Sequence, residues 1–189
     1  MEESFTDFCK RLEHFETPKW AAEKILEHEI LTRFVFDPCC GTGILSEAAK
    51  EAGYFCGSTD IHDWGYKDQL GVIDFFECPS LPTPKEDTTI FINPPFSKAC
   101  EFVEKSFELG ARKVVCFQRF AWWESGGRKD FWEKFPPNRV YVCADRASCW
   151  RHDIPESERG SGTPTAHAWF VWERGNPSGT LTGHIRKDR

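Results

Sequence analysis

Two short runs in this 189-residue chain carry groups suited to chemistry: Asp37-Pro-Cys-Cys-Gly-Thr-Gly43 and Asn93-Pro-Pro-Phe96. In the second, the Asn93 side-chain oxygen and the Pro94 carbonyl are two acceptors on adjacent residues. Pro94 and Pro95 lack N–H groups and fix φ, which holds that carbonyl still. Two acceptors so placed match the two N–H bonds of a primary amino group. When such an amine is conjugated to a heteroaromatic ring or a carbonyl, its lone pair is delocalised and it is a poor nucleophile. Engaging both N–H bonds favours a pyramidal nitrogen with its lone pair free, and Phe96 supplies a face on which a planar acceptor can stack. Such a site works by orientation and by stabilising positive charge on nitrogen, without a covalent nucleophile.

The first run reads as a cradle for a different molecule. Gly41 and Gly43 let the backbone turn tightly and approach a ligand closely. A phosphate-binding loop would show G-x-x-x-x-G-K-[ST] or G-x-G-x-x-G, and this one has neither the Lys nor a third Gly at that spacing. It opens on an acid, so Asp37 suits a cationic amine. Asp60, with Ile61 beside it, falls at the end of the next strand, where a carboxylate accepts from ribose hydroxyls. Asp74-Phe75, at the end of a third short strand, offers a carboxylate to an adenine amino group and a ring to its face. Amine, ribose and adenine together describe S-adenosylmethionine. Alone, Asp37 is a strand-ending Asp-Pro turn and Asp60 a solvated loop acid; the combination carries the inference.

These runs need elements to hold them. Residues 1–16 predict an amphipathic helix, with Phe5, Phe8, Leu12 and Phe15 near one face. Thr17-Pro18 then opens a second helix, Thr as N-cap and Pro in first position. Strands are predicted over 33–36, 54–59, 72–76, 88–92 and 113–117, with helices over 43–52 and from Ala99 to a stop at Gly110. The runs 139–143 and 165–172 have no helix between them and predict an antiparallel pair. The alternation specifies an α/β fold: a Rossmann-like, doubly wound, mostly parallel sheet of seven strands with an antiparallel edge strand. Ligands of such sheets gather beyond the carboxyl ends of the strands, where both runs fall. The chain reads as one domain, with N-terminal helices over 1–31, a catalytic core over 32–175 and a flexible tail over 176–189.

Composition narrows the setting. No apolar segment reaches the 18 or so residues of a membrane helix, and the N-terminus has no basic-then-apolar leader, so a cytoplasmic protein is expected. Nine cysteines, none in C-x-x-C spacing, predict reduced thiols, with neither a disulfide scaffold nor a metal site. The net charge of −6 speaks against a strongly basic nucleic-acid binder. The halves differ, however: residues 1–100 hold 9 Lys+Arg against 18 Asp+Glu, and residues 101–189 hold 15 against 12. A polyanionic partner would meet the second half.

The run 37–43 resembles motif I (D-P-x-x-G-x-G) of the class I S-adenosylmethionine-dependent methyltransferases, and Asp60 and Asp74-Phe75 resemble motifs II and III. Thr17-Pro18 is similar to the T-P element, motif X, of DNA amino-methyltransferases, which closes over the methionine end of the cofactor. Asn93-Pro-Pro-Phe96 resembles their motif IV, [D/N/S]-P-P-[Y/F]. The resemblance implies S-adenosylmethionine as cofactor, held by Thr17, Pro18, Asp37, Pro38, Cys39, Gly41, Thr42, Gly43, Asp60, Ile61, Asp74, Phe75 and Asn93. It implies a catalytic set of Asn93, Pro94, Pro95 and Phe96. The motif order X, I, IV resembles the γ-type arrangement. The segments 117–128, 135–143 and 166–172 look like compact phage and prophage methyltransferases, a looser likeness over nearly the whole chain that points to adenine N6 in DNA.

The residues after 172 are too few to be expected to form a separate recognition domain, so substrate contacts are assigned to the loops 120–134 and 144–163. Trp122, Trp123 and Arg128 in the first, and Arg146 and Arg151 in the second, pair aromatic faces for an unstacked base with guanidinium groups for phosphates. The same tryptophans equally suit packing of the sheet edge. Pro38-Cys39 matches the Pro-Cys nucleophile of base C5-methylating enzymes but lies in the wrong loop; Cys39 and Cys40 read as loop packing. Three functions stay open: methylation of adenine N6 (or cytosine N4) in DNA; RNA or protein-glutamine methylation by the same chemistry; or a non-catalytic protein that binds S-adenosylmethionine or a partner. The amphipathic N-terminal helix leaves a homodimer contact open.

Overall fold

The computed structural model describes residues 3–188 except 125, 161, 163, 177 and 178. Runs apolar on both faces form the centre of its sheet, as strands covered on both sides require: β2 (Phe34–Asp37), β5 (Thr88–Ile92), β6 (Lys113–Arg119) and β9 (His167–Glu173). β3 (Phe55–Asp60) and β4 (Gly71–Val72) extend it on one side, and β7 (Arg139–Cys143) and β10 (Leu181–Ile185) on the other. The order is β10-β7-β9-β6-β5-β2-β3-β4.

Alternate residues of each central strand feed opposite layers. Phe91, Val115, Phe117 and Trp169 pack with α2 (Lys19–His28) and α3 (Ile44–Glu51). Ile90, Ile92, Val114 and Phe170 pack with α4 (Ala99–Glu108) and with Phe131 of the short α5 (Lys129–Lys134). Each such side chain contributes about 1.5–3 kcal/mol on burial. Below the strands' amino ends, Glu29, at the C-terminal end of α2, accepts from Lys113 and Tyr141, each at 2.8 Å, and from Arg139. No helix among the described residues is long and apolar enough to cross a membrane.

The doubly wound, mostly parallel sheet is as expected, with four differences of detail. The sheet has eight strands, not seven. The additional one, β10, lies within the segment expected to be a flexible tail; it runs parallel to β7 from Leu181 opposite Arg139 to Ile185 opposite Cys143. Its alternation is broken by Gly183, where a Cβ would come within 3.1 Å of the Tyr141 ring, so side-chain pattern gives it little signal. The antiparallel strand, β9, is internal: it pairs antiparallel with both β6 and β7, and bonding on both edges keeps it inside.

Helix α1 (Phe5–Arg11) stops well before residue 16. Glu13 takes a left-handed φ of +50°, and the chain continues as β1 (Phe15–Glu16), antiparallel to β8 (Trp150–Arg151). The third strand ends at Val72 rather than Phe76, because Asp74 caps a 3-10 turn over Phe75–Glu77 by accepting from the Phe76 N–H at 2.8 Å.

Candidate functional site

The loop after β2 is pinned by carboxylates. Asp60 accepts from the Gly41 N–H at 2.9 Å, the His62 N–H at 3.0 Å and the Trp64 indole at 3.1 Å. Burial pushes its carboxyl up, and these donors oppose the shift. Asp37 is only 1% exposed and lies beneath the loop, accepting from Ser46 Oγ at 3.0 Å and the Cys39 N–H at 3.3 Å. Burial raises its carboxyl to about 7. It does not line the cavity above, so its expected contact with a cationic amine is replaced by a role in shaping the loop. Burial also raises the Cys39 and Cys40 thiols, which keeps them protonated and unreactive.

Gly41 and Gly43 have φ of +53° and +89°. A Cβ on Gly41 would lie 2.7 Å from His14 Nε2, and one on Gly43 2.3 Å from the Tyr66 ring. Both glycines therefore admit neighbouring side chains of the protein itself, in conformations that L-residues resist.

Beyond the strands' carboxyl ends is a cavity of about 390 Å³. Loop residues 38–42 form one wall, with Asp60 and Ile61 next to them and Asp74 and Phe75 beyond; Asn93 and Pro95 form the opposing side. Thr17 also borders it. Of the expected cofactor residues, Pro18, Asp37 and Gly43 stand off the wall.

Asn93 is held in one orientation. Its Nδ2 donates to the Phe15 carbonyl at 2.8 Å and to Thr17 Oγ1 at 2.9 Å. A carbonyl only accepts, so the nitrogen must face Phe15 and the oxygen is left for a ligand. Thr17 thus holds Asn93 instead of capping α2, whose N-cap position is occupied by Pro18 without a side-chain bond. The buried Pro94 carbonyl accepts from Gln118 Nε2 at 3.4 Å, and Gln118 Oε1 accepts from the Arg119 N–H. Phe96 stacks on Phe15 at 5.2 Å, and the Arg119 guanidinium carbon lies 4.2 Å from the Phe96 ring centre. Arg119 is 6.0 Å from Phe15, so the three distances set Phe15 and Arg119 at about a right angle around Phe96. They do not sandwich it.

Residues 13–17 form a strap between the two loops. Glu13 accepts from the Ser97 N–H at 3.0 Å, and Phe15 and Thr17 hold Asn93. The intervening His14 packs on Gly41, 3.9 Å from Trp64 and 4.8 Å from His152 between ring centres. Glu16 meets His152 and Arg159. Burial, with His152 and His62 nearby, lowers His14 to about 4, so it is neutral at neutral pH. The sequence assigns no site role to His14, Phe15, Gln118 or Arg119, and Phe15 is expected there on a helix face; the available signal was the β-like spacing of Phe15 and Thr17.

None of the five expected substrate residues in the loops borders this cavity. Trp122 is 4% exposed and packs against Trp132 and Phe170, so its expected substrate contact is corrected to a core one: it is buried in the apolar layer over α4. Trp123 lies edge-on to Phe120 and Phe170, and Arg128 donates to the Trp122 carbonyl. Arg146 donates to the Pro164 carbonyl at 2.7 Å and Arg151 pairs with Asp153.

Neither a family model nor a curated protein matches this chain. Solved structures match its fold. A Pyrococcus horikoshii protein described as an RNA methyltransferase aligns over 86% of this chain and 88% of its own, with 20% identity and a TM-score of 0.62. A Vibrio vulnificus protein described as a modification subunit of a type I restriction enzyme aligns over 93% of this chain and 48% of its own, about half its length, with 13% identity and a TM-score of 0.61. The 23S rRNA methyltransferase ErmE aligns over 87% and 71%, with 13% identity and a TM-score of 0.58. At these identities the likeness establishes the architecture, that of the class I methyltransferases.

Proposed function

We propose that the chain is an S-adenosylmethionine-dependent N-methyltransferase acting on an exocyclic amino group, adenine N6 of DNA first among the candidates. The observation that carries this reading is the fixed amide of Asn93, whose oxygen is left for an amine donor at the wall of a nucleoside-sized cavity. The chemistry of that wall fits the cofactor. Asp60 stands where ribose hydroxyls would donate, and Asp74 and Phe75 offer a carboxylate and a ring to an adenine. When bound, the cofactor supplies a methyl group activated by a sulfonium. Asn93 Oδ1 and the second lone pair of the Pro94 carbonyl accept the two N–H bonds of the substrate amine. Gln118 and the proline ring keep that carbonyl from turning away. The lone pair of the amine is left to form the new bond, and its surplus proton passes to water. Phe15, which borders the cavity with Phe96 stacked on it, would support the acceptor ring from one side.

Incubation with methyl-labelled cofactor and DNA, RNA or cell extract, followed by digestion to nucleosides, tests the proposal. Label in N6-methyldeoxyadenosine is expected. Label in N6-methyladenosine from RNA, or in protein, overturns the DNA assignment; cofactor binding without transfer to any acceptor overturns the enzyme.

A further inference from the structure

Most cations near the Asn93-Phe96 turn are already neutralised. Arg11 pairs with Glu3, Arg151 with Asp153, and Arg159 with Glu16. Two differ. Arg119 is exposed at the end of β6, and its guanidinium lies over Phe96 without a hydrogen-bond or ion-pair partner among the described residues. Lys98 closes the 3-10 turn Phe96–Lys98, is exposed and borders the cavity; its ammonium likewise has no partner among them. The acid beside them, Glu13, is engaged by the Ser97 N–H.

A guanidinium resting on an aromatic ring is held in place by the ring's quadrupole while its five N–H donors stay available. A forked donor of this kind suits phosphate oxygens, and an ammonium adds a compact second charge. A base presented to Asn93 carries a phosphodiester on each side of its sugar. We propose that Arg119 and Lys98 form a phosphodiester-binding clamp beside Phe96, seating the backbone of the strand whose base enters at Asn93. The inference rests on the nucleobase reading of the site and names a contact outside the loops that composition suggests. DNA and RNA share this chemistry, and the binding partners tested below separate them.

Anisotropy titrations of the full chain over a salt series read the clamp without catalysis, using a single-stranded deoxyoligonucleotide, its ribo counterpart and an abasic deoxyoligonucleotide. On a single strand each phosphate contact contributes about 0.7 to the slope of log K against log salt. Arg119→Ala and Lys98→Ala are each expected to flatten the slope by about that amount, and the double variant by about twice as much. Arg119→Lys should keep the slope, as should Lys85→Ala, whose residue precedes β5 at the opposite end of the sheet. The tighter of the deoxy and ribo strands identifies the source of the phosphates. Unchanged slopes in both alanine variants overturn the clamp, as does a loss that spares the abasic strand or an absence of binding to every strand. Flattened slopes without any methyl transfer support the clamp and count against the proposed reaction alone.

Discussion

Asn93 Nδ2 donates to Thr17 Oγ1 at 2.9 Å across 76 residues of chain, so the residue expected to close over the cofactor also fixes Asn93 of the acceptor turn. Thr17→Val keeps the shape and removes the acceptor. Loss of one such bond amounts to about 1 kcal/mol, so kcat should fall about five- to tenfold with cofactor Kd unchanged, and Thr17→Ser should restore it. Weaker cofactor binding at unchanged kcat would return Thr17 to a cofactor role. Steady-state kinetics and calorimetric titration decide between them.

Asp37 should leave a signature in stability against pH. Burial raises its carboxyl from 3.8 to about 7, so between these values the folded chain holds a proton that the unfolded chain has released. Its contribution to stability therefore falls as pH rises from about 4 to 7 and is level above that. Asp37→Asn should remove this component, so that its urea midpoint declines less than that of the parent across the window. Parallel midpoint curves would show that Asp37 is ionised throughout.

Gly43→Ala should be severe. The new Cβ would occupy space 2.3 Å from the Tyr66 ring at a φ of +89°. Left-handed strain alone costs of order 1–3 kcal/mol, and displacing Tyr66 disturbs its bonds to Glu47 and Lys50. Chemical denaturation should show a loss above about 2 kcal/mol. The companion change Gly53→Ala meets no atom within 4 Å and carries only its backbone cost.

Glu29 is buried, which alone would raise its carboxyl, but bonds from Arg139 and Lys113 hold it below the ordinary value. Its stabilisation is complete above the ordinary carboxylate range and is lost as pH falls through the depressed value. Glu29→Ala leaves the buried Lys113 with only Glu173, at 3.7 Å, as counter-charge and should cost about 3–5 kcal/mol. Denaturation midpoints at neutral pH measure this directly, and a loss below 1 kcal/mol would contradict it.

Much of the fold was legible because its central strands are buried on both faces and their runs declare it: Thr88–Ile92 and Lys113–Arg119. Asp60, Asp74 and Asn93 were legible too, since each ends a strand or begins the turn after one. Their partners were not. Phe15, Thr17, Gln118 and Arg119 reach Asn93 and its neighbours through pairings fixed only when the sheet forms. Trp122 shows the converse limit: residue type alone does not separate an aromatic face offered to a base from one buried against Phe170. Asp37 was placed at the right loop, but whether it pointed to a ligand or into the core depended on Ser46, nine residues on.

The strap also sets a rule about chain length. Phe15 and Thr17 face the acceptor turn while His14 and Glu16 face the other way, an alternation that depends on spacing by twos. Inserting a single residue directly after Glu13 would reverse the faces, turning the histidine toward Asn93 and the phenylalanine toward Gly41. Truncating one side chain there disturbs one neighbour; changing the count disturbs both. The stretch tolerates substitution far better than it tolerates insertion.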